Sequence, residues 1–405
     1  MRINAIFSWV FMLSACALLA IGRIYDERLV IWNINLAILI GIGFLISVFF
    51  MLFSIKKTVL SKTKFLFYLF YLMVLVMSLL LWLLFDVTEF GLEKFFNFWF
   101  IVVPISVVII EKYKRIDVLN IFYILLGVCC FLALLSIVGL SVSARADERM
   151  AALGGGPIVF ARWMGFGILT LFLLPVKFRS WYKYLIMTIF LILALASGSR
   201  GPILALIITA LVYLGFNFNR LIVKVIFGVA LLSLIILISG IDNKISQVGN
   251  FDRIFLNVSK KGFVKHSTST RKNLAIGSFI LLQNYPLGVG AGNWQTVANK
   301  IRPTHLMPLE YPHNLFLEVA CEYGLHSLII LIILFLYVFY LSYNKMQRYI
   351  KDKTSLYPLL FYLLLFLFFN SMVSGMLNDS RLLFIVVSFI IIHKPLIDSK
   401  NVNYL

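Results

Sequence analysis

Arg200 stands in the run Ser197-Gly-Ser-Arg-Gly-Pro202, between two apolar stretches. Ser199 or Ser197 followed by Pro202 suits a helix start, where a hydroxyl caps free N–H groups and proline has no N–H to lose. An arginine there sits at the positive end of the helix dipole. A phosphate is its natural ligand, because helix N–H groups and a guanidinium fork can both take phosphate oxygens. The competing reading makes Arg200 a topology charge, or one whose head reaches lipid headgroups. His313 opens a second apolar stretch beside Asn314, with Glu318 and Glu322 on the following turns. A neutral imidazole in that place can take a proton from a hydroxyl nucleophile. Glu318, five residues on, is rotated away from His313, so spacing alone makes them a poor acid–base or metal pair. A third start, Gly154-Gly-Gly-Pro157, leads to Arg162. There is no HExxH, GxSxG or Ser-His-Asp order, and Cys16, Cys129, Cys130 and Cys321 show no CxxC spacing. Neither a metal site nor a disulfide framework is indicated.

The solvent of the elements that hold these side chains follows from composition. Of 405 residues, 62% are hydrophobic and 13% charged, with a mean hydropathy of +0.99. A water-soluble domain is about a quarter charged, so this chain is an integral membrane protein. Twelve apolar runs are predicted as transmembrane helices: 4–22, 30–53, 65–85, 95–110, 118–140, 158–176, 181–197, 201–216, 221–240, 315–343, 356–374 and 382–397. With both termini in the cytoplasm, 19 Lys and Arg fall in inner segments and 8 in short outer ones, Arg145, Arg162 and Arg200 among them. That asymmetry is the positive-inside pattern. Leu13-Ser-Ala-Cys16 resembles a lipoprotein cleavage site, but the apolar run continues through Ile21, and residues 1–22 read more simply as the first span.

The organisation is therefore nine spans over 1–240, one large outer loop over 241–314, and three spans with a cytoplasmic tail over 315–405. The loop carries 9 cations, including Arg271 and Arg302, against Asp242, Asp252 and Glu310. Topology does not require that excess, so an anionic ligand is expected. Arg271–Asn284 alternates polar and apolar residues as a helix, either at the membrane interface or packed within the loop. The glycines of Pro286-Leu-Gly-Val-Gly-Ala-Gly-Asn293 lack nucleotide-loop spacing, and their expected role is a turn that another group approaches closely.

Three stretches in order resemble the O-antigen ligase and polymerase family: Ser197–Pro202; Ser269-Thr-Arg271 with Asn284-Tyr-Pro-Leu-Gly-Val-Gly-Ala-Gly-Asn293; and His313-Asn-Leu-Phe-Leu-Glu318 with Glu322-Tyr-Gly324. The resemblance covers about 180 to 330. It implies an all-α membrane fold similar to the GT-C glycosyltransferases, with about 12 transmembrane helices and one large periplasmic loop. It also implies glycan transfer without nucleotide sugar, metal or other cofactor. By the same resemblance, Arg200 and Arg271 grip the diphosphate of an undecaprenyl-diphosphate-linked glycan, and His313 orients or deprotonates the acceptor hydroxyl. Arg162, Arg145, Arg302, Asn314, Ser199 and Glu318 are the further candidates for substrate contact. Partners are then the lipid-linked glycan, an acceptor glycolipid and membrane lipid, with a chain-length regulator left open and no nucleic acid. The site lies on the periplasmic face of a bacterial inner membrane. A polymerase is the leading reading and a ligase acting on lipid A-core the alternative; ligases often carry glycine or another characteristic residue where this chain has Ser327. A transporter or flippase fits less well, because no six-plus-six repeat is seen and the candidates gather at one face.

Overall fold

The computed structural model describes residues 2–21, 30–31, 34–55, 59–138, 156–175, 180–217, 263–301, 311–352 and 354–392. Over these residues the chain is a helical bundle with one small antiparallel hairpin, β1 (Val30–Ile31) and β2 (Ile34–Asn35). The helices are α1 (Arg2–Ala20), α2 (Leu36–Phe53), α3 (Lys62–Leu81), α4 (Glu89–Asn97), α5 (Val103–Lys112), α6 (Arg115–Ile137), α7 (Pro157–Leu173), α8 (Ser180–Ala196) and α9 (Arg200–Asn217). They continue with α10 (Phe263–Asn284), α11 (Trp294–Ile301), α12 (Leu315–Tyr349), α13 (Tyr357–Ser374) and α14 (Arg381–Ile391).

Among the described residues, six helical stretches are long and apolar enough to cross a membrane: Leu36–Phe53, Lys62–Leu81, Glu89–Lys112, Arg115–Ile137, Leu315–Tyr349 and Tyr357–Ser374. The shorter apolar helices Ala5–Ala20, Pro157–Leu173, Trp181–Ala196, Arg200–Phe216 and Arg381–Ile391 coincide with further predicted spans. The predicted ninth span, 221–240, lies outside the described residues.

The predicted fourth span, 95–110, is longer than its sequence suggests. Thr88 caps α4, its Oγ1 accepting from Gly91 N–H at 3.1 Å. A π-turn over Phe98–Val102 then joins α4 to α5. The wider turn lets the helix pass Pro104, which supplies no N–H and would otherwise clash with the preceding turn. One apolar helix of 24 residues results, Glu89–Lys112.

α13 and α14 form the middle of the bundle; Leu359, Leu363, Phe366, Phe384, Val387 and Phe389 are fully buried there. α2 instead exposes Ile38, Leu39, Ile42, Phe49 and Phe53, a row suited to lipid. Three of the described cations assigned to inner segments lie at one end: Lys64 pairs with Glu111 at 3.0 Å, Arg115 reaches Thr354 O at 3.0 Å, and Lys345 reaches Ile390 O at 3.0 Å. The starts of α7, α9, α12 and α14 meet the end of α13 at the other.

Candidate functional site

The floor of the site is a broken helix. α12 changes direction at Gly324, whose φ of 86° and ψ of 165° lie where glycine alone is at ease. The break frees the carbonyls of Cys321 and Glu322, and these accept from Val289 N–H at 3.0 Å and Gly290 N–H at 2.9 Å. Leu325 N–H in turn donates to the Pro286 carbonyl at 3.0 Å. The 286–293 loop thus lies backbone against backbone in the break, as its glycines suggested. A Cβ on Gly324 would sit 2.5 Å from the Leu287 oxygen, and one on Gly292 2.4 Å from Gly91 Cα. Asn293 fastens the far side of the loop, its Nδ2 donating to Asp86 O at 2.8 Å.

α10 packs on this floor through Leu274, Leu281, Trp294, Val297 and Cys321, and Trp294 Nε1 donates to Ser278 Oγ at 3.0 Å. Of the two readings of this helix, the packed one holds. Arg271 projects from α10 with exposed surface.

His313 is held at φ 56°, a left-handed conformation rare outside glycine. Asn314 fixes it there by capping α12: Oδ1 accepts from Phe316 N–H at 2.9 Å and Leu317 N–H at 3.1 Å, and Nδ2 donates to Met372 O at 3.0 Å. Tyr311 lies against the imidazole, ring centroids 4.2 Å apart. His313 Nδ1 is buried without a hydrogen-bond partner. Burial, and secondly the charge of Arg271, lower the imidazole pKa to about 4, so the ring is neutral near pH 7. The Tyr311 phenol is pushed well up, by burial first and then by Asp379, against the opposing pull of Arg162 and Arg271. It stays a neutral donor. Burial draws the Arg271 guanidinium down while Tyr311 acts the other way, and an arginine remains cationic throughout. Arg162, Arg271, Tyr311, His313 and Asp379 therefore share one electrostatic neighbourhood.

Arg162 is buried, 5% exposed, and ties down the turn between α13 and α14. Its Nη1 donates to Asp379 O at 2.6 Å and its Nη2 to Ser374 O at 3.1 Å. Arg381 holds the same turn from the opposite side, with Nε on Asn378 O at 3.0 Å and Nη1 on Leu18 O and Ile21 O, both at 3.0 Å. The last two are carbonyls at the end of α1, where a cation both caps and complements the dipole.

Arg200 is half-buried at the first residue of α9. This start abuts the same end of α13: a Cβ on Gly201 would lie 3.2 Å from Val373 Cγ1. The expected cap differs in detail. Ser197 Oγ accepts from Ser199 N–H at 3.2 Å and donates to Ala194 O at 2.7 Å, closing the turn before the helix. The Ser199 hydroxyl is buried with no hydrogen-bond partner. Glu318 is fully buried, turned away from the surface onto Lys94 and onto Leu377 N–H at 2.7 Å. Arg145 and Arg302 lie outside the described residues.

Tyr311, Asp379, Lys94 and Arg381 belong to this constellation and were not singled out in the sequence. Lys94 and Arg381 are two more of the eight cations that the sequence places in short outer segments. The usable signal was that charged residues at the mouth of apolar spans are costly and call for named partners. Among the described residues no group of three or more His, Cys, Asp or Glu could hold a metal ion.

Residues 184–332 match the family model described as O-Antigen ligase. That segment contains Arg200, Arg271, the glycine loop, His313 and the Gly324 break, so the resemblance carried by the three motifs holds over the stretch that bears them. No curated protein matches the chain.

Proposed function

We propose that this protein transfers a glycan from undecaprenyl diphosphate to a hydroxyl of a second lipid-linked repeat unit, at the outer face of a bacterial inner membrane and with both termini cytoplasmic. The observation that carries the reading is His313: a neutral imidazole with a free buried Nδ1 on a backbone held at φ 56°, set beside Arg271 and Tyr311 at a helix start. Arg271 and Arg200, with the Ser199 hydroxyl and the N–H groups opening α9, suit the diphosphate. The acceptor hydroxyl oxygen attacks the anomeric carbon as the bond to the diphosphate oxygen breaks, and its proton passes to His313. The leaving diphosphate keeps the electron pair and gains charge in the transition state, where a preorganised guanidinium stabilises it more than in the ground state. Attack from the opposite side inverts the anomeric centre, and no metal enters these steps. Arg162, Asn314 and Glu318 serve by holding the α12 start and the 375–380 turn in place.

The family description favours a second reading, transfer of finished glycan onto lipid A-core. The lipopolysaccharide of a deletion strain separates the two: a core bearing one repeat unit marks a lost polymerase, whereas polymer left on the lipid carrier marks a lost ligase. Purified protein that leaves a synthetic lipid-linked repeat unit unchanged, with or without a core acceptor, would overturn both.

The pH dependence has a definite sign. His313 is depressed from 6.5 to about 4, so in the free protein it loses its neutral form only as pH falls toward 4. A bound diphosphate offsets the Arg271 charge, one of the two causes of that depression, and moves the imidazole pKa upward. The acid limb of kcat, which reports the loaded protein, is expected above that of kcat/KM, which reports the free protein. Coincident limbs would count against His313 as the proton acceptor.

A further inference from the structure

Lys94 is 1% exposed on α4 and lies among the least expected surroundings for an ammonium group, the apolar mouth of a span. Its Nζ is 2.8 and 2.7 Å from the two carboxylate oxygens of Glu322 and also pairs with Glu318. Both glutamates are themselves buried, at 0% and 1% exposed. A buried lysine facing two carboxylates is retained only where its geometry has a use, since desolvation cancels much of the attraction.

The use follows from what each carboxylate touches next. Glu318 accepts from Leu377 N–H at 2.7 Å, within the turn whose Asp379 and Ser374 carbonyls hold Arg162. Glu322 lies at the break, and its own carbonyl accepts from Gly290 in the glycine loop. We infer that Lys94 is a positioning residue: through Glu318 and Leu377 it sets the 375–380 turn, and through that turn it sets Arg162, Asp379 and the Tyr311–His313 pair that face the substrate. The inference rests on the transferase reading. It adds a side chain that touches no substrate and comes from outside the matched segment, on α4.

Two variants test it. Lys94→Met removes the cation; Lys94→Met with Glu322→Gln removes one charge of each sign and keeps the buried net charge as it is, which guards against loss of fold. In lipid nanodiscs, amide exchange in the 375–380 segment is expected to accelerate tenfold or more in both variants, as Glu318, no longer held by Lys94, loses its fixed position against Leu377 N–H. Exchange in α6 and α8 should stay unchanged. The KM for a lipid-linked donor is expected to rise roughly 10- to 100-fold, the scale of a small displacement of binding groups. A merely structural lysine would lower the amount of active protein and leave the donor KM alone. Unchanged exchange at 375–380, or faster exchange with an unchanged KM, overturns the inference. A wild-type protein inactive on every lipid-linked donor defeats the transferase reading instead, and the exchange measurement still decides whether Lys94 controls the turn.

Discussion

Arg271→Ala is expected to lower kcat/KM for glycan transfer by about 10²- to 10³-fold, the loss typical when one preorganised charge-stabilising donor is removed. Arg271 has exposed surface on α10, while the helix is held by Leu274, Leu281 and Trp294, so protein yield should remain near wild type. Arg271→Lys should recover little, because an ammonium offers a point charge where the fork could hold two oxygens. Arg271→Ala also removes a cation from beside His313, so the acid limb of any residual activity of that variant should move upward. Arg200→Ala and His313→Ala should show losses of similar size. Full activity in all three alanine variants, measured with a synthetic lipid-linked repeat unit, would remove the assignment.

The second large effect concerns backbone. Gly324→Ala places a Cβ 2.5 Å from the Leu287 oxygen at a φ of 86°, and Gly292→Ala places one 2.4 Å from Gly91 Cα. Neither neighbour is a flexible side chain that can move aside. Strain and overpacking together should cost roughly 3 kcal/mol at each position, enough to open the loop from the helix break and abolish transfer. Gly41→Ala and Gly127→Ala are the controls: both glycines lie in helices with open space around the site of a new Cβ. These should leave stability unchanged or slightly raised. Thermal unfolding in detergent separates the pairs, and equal midpoints for all four variants would refute the argument.

Much of the bundle was legible because lipid imposes one simple demand, an apolar helix, and α2, α3, α6, α12 and α13 meet it in plain runs of sequence. The fourth span was misjudged in extent because its beginning, Glu89 to Lys94, is polar by composition. Only the three-dimensional pairing of Lys94 with Glu318 and Glu322 makes that segment acceptable inside the protein. Arg200, Arg271 and His313 stand out as candidates in the sequence because local cues mark them: a helix start, a basic loop, an isolated imidazole. Asp379 and Tyr311 carry no such mark. Their place depends on α7, α12 and the α13–α14 turn converging from sequence positions more than two hundred residues apart, as the Arg162 to Asp379 contact shows. Glu318, a candidate for substrate contact by the resemblance, turns its carboxylate inward onto Lys94 and Leu377 N–H.

The glycine loop seated in the break of α12 has a consequence for biogenesis. Val289 and Gly290 are synthesised before the carbonyls that receive them, and Asp86 and Gly91, on the loop's other side, some two hundred residues earlier. The loop has no seat until the ribosome has delivered Cys321 to Leu325. The floor of the candidate site is therefore assembled only after α1 to α11 have all been made.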